Sequence, residues 1–425
     1  MSDLISRDKK VVWHPFSKMK GDYPIIPLKS AKDEFLITED DTEIIDGISS
    51  WWVNIHGHSN AELAQAMYDQ ALKLEHVIFA GFTHEPAVKL SESLCRILPN
   101  NSQKVFYSDN GSTAIEVALK IAMQFYFNKG IKKSKIIALS GAYHGDTFGA
   151  MSVGERGGFT TPFHPYFFDV EYLTFPDDDH NEDASLKELA SIIEQNDSCI
   201  FIYEPLVQGA GGMRIYSDSW LQKALEISDK PNCIRIADEV FTGFGRTGKL
   251  FASEYCQAQA DIICLSKGIT GGILPLGATA CNNRIIDAFE SDNWEEAFLH
   301  GHSFTGNPVI MAVANKSLEI LLRNETREAI TRIEKQQKQI ADSLKDHPHV
   351  LKVNSIGTIL SIEVKTSTDA GYFNSMREKI YYFFISRNIL LRPLGNTIYF
   401  LPPYIISSKS FAKVQSAINE FMNSL

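Results

Sequence analysis

A chain of 425 residues, 44% hydrophobic and 22% charged, has enough apolar material for two or more domain-sized cores. Its formal net charge of -11 argues against a nucleic-acid partner, which requires clustered Lys and Arg. There is no run of 18 apolar residues, the polar opening MSDLISRDKK lacks a signal-peptide core, and the six cysteines form no C-x-x-C pair. A cytoplasmic protein with free thiols and no membrane span is therefore expected.

In chain order, the first 50 or so residues are rich in Pro and turn formers. KVFYS (104–108) has strand character, and from Gly111 a helix follows, with Ile115, Ala118, Leu119, Ala122 and Tyr126 at 3.6-residue spacing. KIIALS (135–140), CIFIYEP (199–205), CIRIADEV (233–240), DIICLSK (261–267) and LGATACN (276–282) are further strand candidates. They are apolar throughout, as expected of strands covered on both faces. Strand–helix alternation implies an α/β fold with a mostly parallel central sheet. Beyond about residue 310 a long helical stretch (about 310–345) leads into an α+β tail. The expected division is a large domain over 55–310 and a smaller α+β domain built from 1–54 and 311–425.

Gly243, Gly245 and Gly248 spell G-x-G-x-x-G directly after an apolar run, but the dinucleotide reading fails. The acidic pair Asp238-Glu239 precedes the glycines, and position 263, where a ribose-binding acid belongs, is Ile. Asp238 instead ends one apolar strand, and Lys267 ends the next strand candidate. A salt bridge or helix cap would explain Asp238 alone. Together the two deliver a carboxylate and an amine to one sheet edge. That pair suits pyridoxal phosphate, which needs a Schiff-base lysine and an acid beside its pyridine nitrogen. Asn110-Gly111-Ser112 opens a helix after a strand and offers a phosphate cradle, although an ordinary N-cap looks the same. Tyr143, in GAYHGDTFGAMS, can lie flat against the ring or be a buried structural tyrosine. Four such features at successive strand ends favour the cofactor.

These segments, NGSTAIEVALK, GAYHGDTFGAMS, YEPLVQGAGGM, IADEVFTGFGRTGKLF, SKGITGG and HSFTGNP, resemble those of the class III pyridoxal-phosphate aminotransferases, of fold type I. WHPF (13–16), DGISSWWVNIHGH (46–58), THEPA (83–87) and RPLGNTIYFLPPYI (392–405) are similar to the branch of that family that serves biotin synthesis. The resemblance covers nearly the whole chain. It implies S-adenosylmethionine as amino donor and 8-amino-7-oxononanoate as acceptor. It places Lys267 at the covalent cofactor link, Asp238 at the pyridine nitrogen, Gly111 and Ser112 at the phosphate, Tyr143 on the ring, and Glu204 near the cofactor hydroxyl. Gly301, His302 and Ser303 fall in a loop that reaches the neighbouring subunit's phosphate, which implies a homodimer. Phe16, Trp51, Asp146, Arg246 and Arg392 match substrate contacts. The GFGRTG glycines then shape a turn at the substrate mouth. Two segments depart from well-known bacterial members: Phe16 stands for Tyr, and His302-Ser303 for Pro-Thr.

His56-Gly57-His58 and His300-Gly301-His302 have a spacing compatible with a metal, but no Cys or carboxylate cluster joins them, and no metal is expected. Alternatives are another class III ω-aminotransferase acting on ornithine, 4-aminobutyrate or a diamine, a lysine-using form of the same reaction, or a scaffold that lost its chemistry. Retention of Lys267, Asp238 and Tyr143 counts against the scaffold.

Overall fold

The computed structural model describes residues 3–20, 23–131, 133–366 and 374–425. Its largest sheet has seven strands, in the order Lys104–Ser108, Gly277–Cys281, Ile262–Leu265, Cys233–Asp238, Cys199–Tyr203, Lys135–Leu139 and Glu171–Leu173. Gly277–Cys281 runs antiparallel to both neighbours, and every other pairing is parallel. Both faces of the sheet are buried. Ile136, Ile200, Ile234 and Ile262 point into one apolar layer with helix Gly111–Asn128, and Ile137, Phe201, Ala237 and Ile263 point into the other. The continuous apolar runs of the sequence follow from this double cover.

Parallel register sets the ends of Lys135–Leu139, Cys199–Tyr203, Cys233–Asp238 and Ile262–Leu265 along one edge. In open α/β sheets that edge is where ligands bind. The edge strand Glu171–Leu173 is short and was not anticipated from the sequence.

The N-terminal segment, turn-rich in sequence and assigned to the α+β domain, forms the strands Leu28–Lys32, Phe35–Thr38 and Glu43–Asp46. Ile389–Leu390 pairs in parallel with Ile45–Asp46, so the two ends of the chain share one sheet. The single helical stretch expected over about 310–345 is two helices, Pro308–Leu321 and Asn324–Leu344. The break has no Gly or Pro. Arg323 takes an extended conformation there (φ -65°, ψ 149°), and its guanidinium forks onto both Glu62 oxygens at 2.7 and 2.6 Å.

All six cysteines are free thiols, and five of them are buried. Burial pushes Cys199 up to about 11 and Cys256 and Cys281 up to about 12. Burial also raises Cys233 and Cys264, and partial burial raises Cys95. Among the described residues no helix is long and apolar enough to cross a membrane.

Candidate active site

Beyond the strand ends lies a cavity of about 440 Å³, lined among others by Gly111, Ser112, Tyr143, Glu204, Asp238 and Lys267. The volume is of the size that holds a small cofactor. Six residues separated by up to 156 positions in the sequence thus meet in one place.

Lys267 follows strand Ile262–Leu265 and has a left-handed backbone (φ 45°). Its Nζ lies 4.5 Å above the Trp52 ring and 5.4 Å from that of Phe241. Burial lowers its pKa to about 8, against the opposing pull of Asp238 and Glu204. At pH 7 about a tenth of the amine is thus the free base, the form that attacks carbonyls.

Asp238 is buried, and its partners explain how a carboxylate is tolerated there. Oδ1 accepts from the Val240 amide at 3.0 Å, and Oδ2 lies 2.7 Å from His144 Nδ1. Carboxylate oxygens only accept, so Nδ1 carries the hydrogen. His144 was missed in the sequence reading. Its signal was adjacency to Tyr143 at a strand end, which does not reveal which way an imidazole turns. Glu204 is equally buried, and desolvation raises its pKa to about 7. It accepts from the amides of Tyr143 (3.1 Å) and Gly209 (2.9 Å), tying two loops together.

The helix start expected to cradle a phosphate is built from close contacts. Asn110 caps helix Gly111–Asn128 by accepting from Thr113 N, so the first-turn amides of Gly111 and Ser112 have no partner within the helix. A Cβ on Gly111 would come within 2.6 Å of Val240 Cγ1. Gly145 (φ +132°) lets the Tyr143 loop touch this helix, since a Cβ there would fall 2.0 Å from Ser112 Oγ. His144 Nε2 and Trp52 Nε1, both from cavity-lining residues, are buried and find no hydrogen-bond partner among the described residues. Buried polar atoms left unmatched in this way leave capacity for a bound group. A cradle for phosphate, a carboxylate, an amine of lowered pKa and aromatic faces together fit pyridoxal phosphate.

The GFGRTG loop is a turn, as expected, but it does not line the cavity. Its glycine amides are used locally: Gly243 N donates to Glu239 O, Gly245 N to Leu250 O and Gly248 N to Gly245 O. None is left for a pyrophosphate. Glu239 anchors the loop, accepting from Thr242 Oγ1, Ala252 N and Ser253 N.

The remaining sequence candidates lie outside the cavity lining. Asp146 accepts from Tyr143 Oη at 3.0 Å, and its own amide donates to Ser112 Oγ. Phe16, Trp51 and Arg392 form a cluster of their own. The Phe16 and Trp51 rings lie 5.2 Å apart, Arg392 sits 5.0 Å over Trp51, and Arg392 Nη2 donates to Phe16 O. Arg246 is fully buried and donates to Pro402 O at 3.0 Å and Trp52 O at 3.3 Å. Gly301 and Ser303 are exposed, and His302 Nε2 lies 3.2 Å from Asp109, just before the cradle.

Trp51 and Trp52 belong to an unusual turn. Ser49, Ser50, Trp51 and Trp52 have φ values of 51°, 46°, 71° and 76°, a left-handed run without glycine. Each such residue costs about 1–2 kcal/mol, so tertiary contacts must hold the turn.

A family model described as "Aminotransferase class-III" matches residues 16–422. A protein of Synechococcus elongatus named adenosylmethionine-8-amino-7-oxononanoate aminotransferase is 44% identical over 97% of this chain and 99% of its own length. A Helicobacter pylori protein of the same name is 37% identical over 100% and 98%. A crystal structure under that name from Methanocaldococcus jannaschii superposes with a TM-score of 0.92 at 32% identity, covering 99% of this chain and 98% of that one. With lysine, carboxylate and phosphate cradle converging on one cavity, and matches that run nearly end to end, the chain belongs to the class III aminotransferases, enzymes that work with pyridoxal 5'-phosphate.

Proposed function

We propose that the enzyme transfers the amino group of S-adenosylmethionine to 8-amino-7-oxononanoate, giving 7,8-diaminononanoate for biotin synthesis in the cytoplasm. The 44% identity to a full-length relative named for this reaction carries the proposal. When bound, pyridoxal phosphate supplies an aldehyde that condenses with amines and a ring that accepts electrons. In this reading Gly111 and Ser112 bind its phosphate, Asp238 its ring nitrogen and Tyr143 its face, with Glu204 on the hydroxyl side. The Lys267 amine takes a proton from the reacting carbon and returns it, as general base and then acid.

Arg246 is a buried guanidinium with no carboxylate partner among the described residues, and its Nε is unmatched. That supports a role toward the donor's carboxylate. Arg392, among the rings of Phe16 and Trp51, is assigned to the acceptor carboxylate, which it can grip at two points. Arg392→Lys should raise the KM for the acceptor about 10- to 100-fold, the scale of a charged hydrogen bond, and leave the donor KM nearly unchanged. Equal losses for both substrates would count against this assignment.

The exposed Gly301–Ser303 loop supports a homodimer in which His302 and Ser303 complete the neighbour's phosphate site. The pairing of Ile45–Asp46 with Ile389–Leu390 supports a small domain of 1–54 with 311–425 beside a large one of 55–310.

Steady-state assays with 8-amino-7-oxononanoate and a panel of donors, reading the diamine product, test the reaction. S-adenosylmethionine should outperform lysine, ornithine and 4-aminobutyrate. Trp51, Trp52, Phe16 and Tyr143 offer faces for adenine and sulfonium, which those donors lack. Phe16→Tyr should change the donor KM by no more than about tenfold, since only one hydroxyl is gained. Faster turnover with lysine would leave the family intact and remove the donor claim. Failure of every donor with this acceptor would remove the reaction.

A further inference from the structure

The left-handed run Ser49–Trp52 carries Trp52 into the cavity wall, 4.6 Å from Phe241 and beneath the Lys267 amine, and it carries Trp51 to Phe16 and Arg392. Nothing in Ser-Ser-Trp-Trp favours positive φ, so the conformation is imposed from outside. The structure shows what imposes it. Asp46 Oδ1 accepts from Ile48 N at 3.3 Å, and Oδ2 accepts from Ser50 Oγ at 2.7 Å and from His58 Nε2 at 2.8 Å. His58 Nδ1 lies 2.9 Å from Asn54 Nδ2, just past the turn. A ring of hydrogen bonds therefore closes from the residue that enters the turn to the residues that leave it.

The ring has a fixed base. His58 makes both backbone hydrogen bonds of a β-bridge with Asp33, and Ser49 Oγ donates to Leu401 O at 2.8 Å. The Asp46 side chain is 0% exposed and that of His58 13% exposed, so water competes little for these bonds. Neither residue lines the cavity.

We propose that Asp46, steadied by His58, is the positioning residue of the tryptophan wall, and that through Trp51 and Trp52 it sets how tightly the substrates are held, the acceptor beside Arg392 included. The inference rests on the amino-transfer reading above. A staple needed only for folding would lower stability and leave the ratio of acceptor KM to kcat alone. A positioning clamp loosens the wall and raises acceptor KM while cofactor binding stays intact.

The test uses the holoenzyme and its variants Asp46→Asn, His58→Phe and Asp46→Asn/Ser50→Gly. In the two single variants acceptor KM should rise about tenfold, with kcat within about threefold and cofactor absorbance unchanged, because hydrogen bonds are lost only behind the wall. Tryptophan emission should shift to the red, and the shift should vanish when Trp51 and Trp52 are both changed to Phe. Glycine holds positive φ without a clamp, so Ser50→Gly in the Asp46→Asn background should recover most of the KM. Wild-type KM and emission in both single variants would overturn the proposal. So would a joint fall in kcat, affinity and melting temperature that Ser50→Gly does not reverse. If Asp46→Asn does not fold, His58→Phe with and without Ser50→Gly carries the same comparison. If the wild-type enzyme does not aminate 8-amino-7-oxononanoate, the amino-transfer reading falls, and the emission measurements still judge the clamp.

Discussion

Lys267→Ala is expected to retain pyridoxal phosphate without a borohydride-reducible bond and to lose at least about 10⁴-fold in turnover, because proton transfer and covalent capture are removed together. The phosphate cradle and Asp238 are untouched by the substitution, so binding should weaken without vanishing. Absorbance after reduction and gel filtration reads the bond, and a coupled diamine assay reads the turnover. Near-normal activity would end the assignment of Lys267. The wild-type protein carries a matching pH signature. Burial depresses the Lys267 amine to about 8, so capture of the cofactor by the apoenzyme should accelerate as pH rises through about 8 and then level. Stability follows the same sign. Between about 8 and the ordinary 10.5 the unfolded chain binds the extra proton, so this group's contribution to apoenzyme stability improves as pH rises through that window.

Asp238→Asn should cost at least about a hundredfold in activity, the scale of losing one buried electrostatic contact to a reacting group. The shape is nearly conserved, but the charge that keeps a pyridine nitrogen protonated is gone. The amide also presents a donor where Oδ2 now faces His144 Nδ1 at 2.7 Å, so the imidazole must change tautomer or turn. Asp238→Glu keeps the charge and should be milder. The cofactor's visible band should move in the Asn variant. An unchanged band with wild-type activity would remove Asp238 from the site.

The cavity was legible because its residues sit where period and punctuation are strong. Uninterrupted apolar runs end in Glu204, Asp238 and Lys267, and Gly111 opens a helix whose apolar stripe is unmistakable. What escaped was set by tertiary contact. Leu28–Lys32 (LKSAK) is largely exposed and has no apolar alternation, so nothing local marks it as a strand. The break at Arg323 has no Gly or Pro and depends on Glu62, 261 residues away in sequence. Trp51 was singled out by the resemblance of its segment, but the left-handed turn that presents it was not legible, since Asp46, His58 and Leu401 hold it. Arg246 was singled out by its motif, but its hydrogen bonds to the Pro402 and Trp52 carbonyls, 156 and 194 residues away, were not legible.

The buried thiols give the molecule a chemical clock. A thiol reagent needs both access and thiolate, and five of the six cysteines offer neither while the fold is closed. Cys199, Cys233 and Cys264 lie on three adjoining strands at the centre of the large sheet. Their modification therefore waits for that sheet to open, and the rate of labelling in excess reagent reports the opening itself. Loss of the central sheet can then be timed separately from loss of catalysis, without following the cofactor at all.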